Sequence, residues 1–159
     1  MELLNIIDWN DDCINWDNVY DTFIRVESIT LEDLDAIENS FYESTGFTFP
    51  TGLANFWLLM GGGFLCPTRN FDNAVQTPQS ALDIYFGQGK WKNFNHILDI
   101  LPPNELPFFR SKNLDFYTIG LEEGVNRGKI YLFGEKVADS VREFVDMIAK
   151  QSSAIAKAV

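Results

Sequence analysis

Residues 30–63 read TLEDLDAIENSFYESTGFTFPTGLANFWLLMGGG, and the punctuation of this stretch decides the fold. Thr30 stands where a hydroxyl can cap a helix, Asp33 follows three residues later, and Ile29 is placed to staple onto Leu34. Leu34, Ile37 and Phe41 then recur at helical spacing as a buried stripe, leaving Glu32, Asp35 and Glu43 toward solvent. Gly46 supplies a stop. The run Phe47 to Pro50 reads as an extended entry to the next helix, because the residue before a proline is pushed out of helical conformation. That helix is expected from Thr51 to Met60, with Leu53, Phe56, Trp57 and Met60 on one side. Gly61, Gly62 and Gly63 end it, since residues without a Cβ take a left-handed turn at no steric cost.

Upstream, Trp16, Val19, Tyr20, Phe23 and Ile24 also fall at helical spacing, so a helix is expected over 16–24. Asp17 and Asp21 repel at i, i+4 on its neighbouring face, which leaves its stability to packing of the aromatic stripe. Downstream the texture changes. Leu82 to Phe86 alternates and is followed by Gly87-Gln88-Gly89, a strand and a turn. Residues 94–101 fit a short helix or a buried strand, ended by Pro102 and Pro103. Three further strands are expected over 106–110, 114–119 and 129–133, which are rich in aromatic and β-branched residues. Ser140 and Glu143 form a capping box for a last helix whose Val141, Phe144, Val145 and Ile148 face inward. Helices, then strands, then one helix predict a single α+β domain, a mainly antiparallel sheet with N-terminal helices and a C-terminal helix packed on it.

Composition agrees. The 159 residues are 46% hydrophobic with 14 Phe, 5 Tyr and 4 Trp, which excludes disorder and suffices for a sizeable core. Cys13 and Cys66 lie far apart without a CxxC partner and read as free thiols, so a cytoplasmic location is expected. Met1 to Ile7 is apolar, but no base precedes it and Asp8 ends it, which is not the pattern of a signal peptide. No run approaches the ~20 apolar residues of a membrane span.

Charge is distributed unevenly. Residues 1–60 hold twelve acids against one base, Arg25, and the remainder balances eleven acids against eleven bases. A net charge of −11 argues against direct binding of nucleic acid or anionic membrane, since phosphate neutralisation needs clustered Lys and Arg. An acidic front on a neutral body suits a basic protein partner, with solubility as the plain alternative. Aromatics flanked by acids make good interface anchors, so the expected contact residues are Asp8, Trp9, Asp11, Asp12, Asp17 and Asp21.

Chemistry is sparse. His96 is the single histidine, and it stands in an apolar stretch where packing is its commoner role. There is no HExxH, no paired Cys/His set and no GxSxG; Phe64 and Leu65 follow the glycine run where a phosphate loop requires Lys and Ser/Thr. Asp8 to Asp12 lacks the alternating ligands and central glycine of a calcium loop, and Glu122-Glu123 reads as solvated charge. No catalytic residue, metal or cofactor is expected.

In order and spacing these motifs resemble the SUKH superfamily of Smi1/Knr4-like proteins. The carriers are the acidic helix from Thr30 to Glu38, Phe49-Pro50, Phe56 to Leu59, and the glycine stop eleven residues after the proline. Further carriers are Leu106 to Phe109, Asp115 to Ile119, Gly128 to Phe133, and Val137 to Phe144. Phe49 stands where the family has Leu, Gly61 where it has Asn, and Leu114-Asp115 where Gly-Asp is frequent. The resemblance covers residues 16–150, with poorer match over 65–90, leaving 1–15 as an N-terminal arm and 151–159 as a tail or helix extension. It implies that Pro50, Trp57, Gly61, Gly62, Gly63, Gly128, Tyr131, Ser140 and Phe144 build the fold. It also implies a non-catalytic domain. Bacterial members look like immunity proteins that neutralise a cognate polymorphic or contact-dependent toxin, often a nuclease; the alternative is a regulatory scaffold domain that binds cellular proteins.

Overall fold

The strands pair in the order in which the chain makes them. The computed structural model describes residues 23–65, 73–93, 101–111 and 115–158. Over these residues β1 (Phe23–Glu27), β2 (Gly62–Leu65), β3 (Ala74–Val75), β4 (Glu105–Arg110), β5 (Phe116–Gly120), β6 (Ile130–Leu132) and β7 (Glu135–Ala138) form one sheet, β1 to β7 in sequence, every neighbouring pair antiparallel. Helices α1 (Leu31–Thr45), α2 (Thr51–Met60), α3 (Pro78–Phe86) and α4 (Val141–Ala158) complete the domain. The class is α+β, as expected.

Local chemistry fixes the helix ends. The Thr30 hydroxyl accepts from the Asp33 amide at 3.1 Å, and Glu32 and Asp33 place negative charge at the positive end of α1. Gly46 ends α1 at φ 79°. The Glu38 carboxylate accepts from the Phe49 amide at 2.8 Å and thereby pins the link between α1 and α2. The α2 helix is apolar nearly all round, with Leu53, Ala54, Phe56, Trp57 and Met60 buried, so it runs through the core. Its Trp57 indole donates to the Gln76 carbonyl at 2.7 Å, joining α2 to the start of α3. At α4 the Glu143 amide donates to the Ser140 hydroxyl at 3.1 Å and the Glu143 carboxylate accepts from the Asp139 amide at 3.1 Å.

Four expectations are corrected. Leu82 to Phe86 is not a strand but the last part of α3: Thr77 caps it, Pro78 occupies the first turn and Gly87 closes it at φ 65°. Five residues cannot distinguish a period of 2 from one of 3.6, and the capping pair upstream settles the matter. Phe23 and Ile24, assigned to a helix, begin β1, and 16–22 lie outside the described residues. Only Gly61 is a helix stop, whereas Gly62 and Gly63 open β2. A Cβ on Gly61 would fall 1.9 Å from the Glu27 carbonyl oxygen, and one on Gly62 would fall 2.4 Å from Thr77 Cγ2, so close approach demands both glycines. Finally, strands and helices interleave, with β1 ahead of α1 and both β2 and β3 ahead of α3.

The main core lies where α2 and α4 meet the sheet. A bulge in β4 between Pro107 and Phe109 lets Phe108 and Phe109 both bury, and both rings meet Phe144 of α4, at 5.6 and 4.9 Å. Val141, Val145 and Ile148 lie on the same buried face of α4. A smaller cluster joins Ile84 of α3 to Trp91 and Phe116. Arg127, in the β5–β6 loop, ties that loop to the α1–α2 link: Nη1 donates to the Leu121 carbonyl at 2.6 Å, and Nη2 to the Thr48 hydroxyl at 2.9 Å and the Phe49 carbonyl at 3.2 Å.

Candidate functional site

The acidic, aromatic-flanked residues singled out in the sequence, Asp8, Trp9, Asp11, Asp12, Asp17 and Asp21, lie outside the described residues, as do Cys13, Cys66 and His96. The acidic front continues into the described structure on α1. Glu32, Asp33, Asp35, Glu38 and Glu43 stand on this helix with no Lys or Arg among them. All but the half-buried Glu38 are exposed. Tyr42 on the same helix is 55% exposed, an aromatic side chain available at an acidic surface.

The motif residues occupy different places in the fold. Pro50 is buried at the entry to α2, Trp57 and Phe144 are core, and Ser140 caps α4. Gly128 turns the chain into β6 at φ 79°. Tyr131 is half-buried on β6; burial first, and then the charge of Glu105, push its phenol above the usual range, with Lys136 opposing. Thr118 on β5 donates to Glu105, which places these three side chains in one polar seam across β4, β5 and β6. At the far edge Lys136 donates to Asp139 at 2.7 Å, and Lys129 stands 3.6 Å from the same carboxylate. The Lys136 hydrogen bond and charge, then Lys129, hold Asp139 below the ordinary carboxylate range. These are ion pairs of an exposed rim, each worth little in free energy. Of the paired acids, Glu123 meets Arg127 at 3.6 Å and is 88% exposed. Among the described residues no group of three or more His, Cys, Asp and Glu side chains is placed to hold a metal ion. No helix among them is long and apolar enough to cross a membrane.

A shallow groove of about 420 Å³ lies between α1 and α3. Ala36, Ile37, Ser40 and Ser44 form its α1 side. Leu82 and Phe86 form the apolar part of its α3 side, with the amides of Gln79 and Gln88 at the rim. The Asp83 carboxylate holds those two amides in place at 3.0 and 3.1 Å. Phe86 packs edge-on against Tyr85 at 5.0 Å and against Phe41 at 6.1 Å, yet stays 43% exposed. Sequence reading missed this groove because half of it was assigned to a strand. The signal was present: Gln79, Leu82 and Phe86 stand at i, i+3 and i+7 once Thr77-Pro78 is read as a helix start.

The arrangement offers recognition by shape and charge, a slot of mixed apolar and polar lining walled by helices, with exposed carboxylates on α1. A family model, that of the SMI1 / KNR4 family (SUKH-1), matches residues 28–147, well over half of the chain. No curated protein matches it.

Proposed function

The chain belongs to the SMI1 / KNR4 family (SUKH-1), and from that premise we propose that it is a non-catalytic, cytoplasmic immunity protein that neutralises a cognate polymorphic or contact-dependent toxin by occluding it. The observation that carries this reading is α1, which presents four exposed carboxylates, Glu32, Asp33, Asp35 and Glu43, and no base beside a groove of mixed lining. A toxin that cleaves nucleic acid must expose a basic substrate surface. An acidic helix competes for that surface and steers encounter toward ~10⁸–10⁹ M⁻¹s⁻¹ at low salt. The acids at 8–21 extend the same charge along the chain, and Trp9 stands among them as an anchor.

The test is co-purification with the toxin domain encoded in a neighbouring reading frame, followed by stopped-flow association at graded salt. Steep salt dependence, with association slowed by charge reversal at Asp8, Asp11 and Asp12, is the expected result. Salt-independent association with the toxin, unaltered by those reversals, removes acidic occlusion from the account. Capture of cellular regulatory proteins in place of any toxin favours the scaffold role.

A further inference from the structure

We propose that the groove between α1 and α3 docks a basic amphipathic helix presented by the partner protein. This deepens the immunity reading and rests on it for the identity of the partner.

Shape comes first. Ile37, Ser40 and Ser44 follow one another at i, i+3 and i+7 on α1, facing Leu82 and Phe86 across the groove. Small hydroxyl side chains at 40 and 44 line one wall, and Ile37 and the partly exposed Phe86 offer apolar contacts between these hydroxyls and the amides of Gln79 and Gln88. An extended peptide gains affinity from a free sheet edge, and two helices offer none, because their backbone groups are bonded within themselves. A helix arrives with its own backbone satisfied and needs only a stripe of apolar side chains to fill the slot.

Charge selects which helix. Together α1 and α3 carry Glu32, Asp33, Asp35, Glu38, Glu43 and Asp83, with no Lys or Arg on either. Asp33 stands four residues before Ile37, on the row of α1 that lines the groove, and Asp83 lies next to Leu82 on the other wall. The first bases beyond α3 are Lys90 and Lys92, past the groove-lining Gln88. An entering helix that flanks its apolar stripe with Lys or Arg meets carboxylates on both sides; an acidic one is repelled.

The test uses the full chain and a fluorescent amphipathic Leu/Lys model peptide, read by anisotropy. A scrambled peptide of the same composition lacks the apolar stripe and is expected to bind about tenfold more weakly or worse. Ser40→Arg, a change at an exposed position, is expected to weaken binding of the amphipathic peptide by a similar factor while leaving the melting temperature in place; Ser40→Ala is expected to bind as the parent does. Equal binding of the scrambled peptide, or full binding by Ser40→Arg, overturns the proposal. Selective peptide binding by a chain that neutralises no toxin supports the groove and defeats the immunity reading. Neutralisation without selective peptide binding does the reverse.

Discussion

Replacing Arg127 by Met keeps an aliphatic stem of similar length and removes the guanidinium fork. The fork makes its two shortest bonds to the Leu121 carbonyl at 2.6 Å and the Thr48 hydroxyl at 2.9 Å, with Phe49 O at 3.2 Å behind them. A hydrogen bond from a charged donor contributes about 1.5–3 kcal/mol, and bonds made by one group do not add fully. Thr48 is half-buried, so water recovers part of the loss, and the expected cost is about 2–3 kcal/mol. For a domain of this length that lowers the melting temperature by about 4–12 °C. Arg127→Lys retains the charge without the fork and should lose about half as much. Glu123→Gln should cost under about 0.5 kcal/mol, because its carboxylate is 88% exposed and 3.6 Å away. Urea titration followed by tryptophan fluorescence reads all three, since Trp57 packs on Phe49 at 5.1 Å, beside the clamped link. A Met variant within about 0.5 kcal/mol of the parent, or a Glu123→Gln variant as damaged as it, refutes the assignment of this arginine as a clamp.

Three more outcomes are expected. Gly62→Ala should destabilise by about 1–3 kcal/mol because its Cβ would meet Thr77 Cγ2 at 2.4 Å, and Thr77→Ser, which keeps the cap hydroxyl, should recover much of it; urea titration of the single and double variants checks this, and equal stability of the two denies the contact. Asp35→Lys with Glu43→Lys should leave stability within about 0.5 kcal/mol while slowing association with the partner about threefold to tenfold at low salt, and an unchanged rate in stopped-flow removes α1 from the interface. Burial first, and then Asp115, raise the Tyr117 phenol above its ordinary 10.0. The neutral phenol is therefore the form the fold favours: its contribution is complete below pH 10, where the unfolded tyrosine is also protonated, and is lost as pH climbs through the higher folded value. Tyrosinate absorbance of native and urea-unfolded protein, with Tyr117→Phe as reference, checks the sign; coincident titrations count against it.

Helices with a cap and a stop were legible in the chain. Thr30 and Gly46 bound α1, Pro50 and Gly61 bound α2, and Ser140 with Glu143 opens α4, each through chemistry confined to neighbouring residues. The strands at 105–110, 116–120 and 130–132 were legible because their aromatic and β-branched runs are separated by turns. What escaped depends on distant partners. Gly62 is required by Thr77, and Gly61 by Glu27, contacts invisible until the sheet is assembled. Glu38 holds the Phe49 amide, eleven residues away, and no local pattern announces that bond. The groove needs both α1 and α3, and the α3 half was concealed by a five-residue alternation. The acids at 8–21 lie outside the described residues, so the acidic surface drawn from the structure rests on α1.

Because each strand pairs with the next one along the chain, α1, α2 and α3 are detours in a continuous meander. No strand pairing passes through a detour, and the registers from β4 to β7 are set by the hairpins that join those strands. Solvent-facing substitutions on the two outer detours, α1 and α3, therefore leave the ladder of hydrogen bonds untouched. A surface for choosing partners can then be rewritten position by position on a frame whose strand order stays the same.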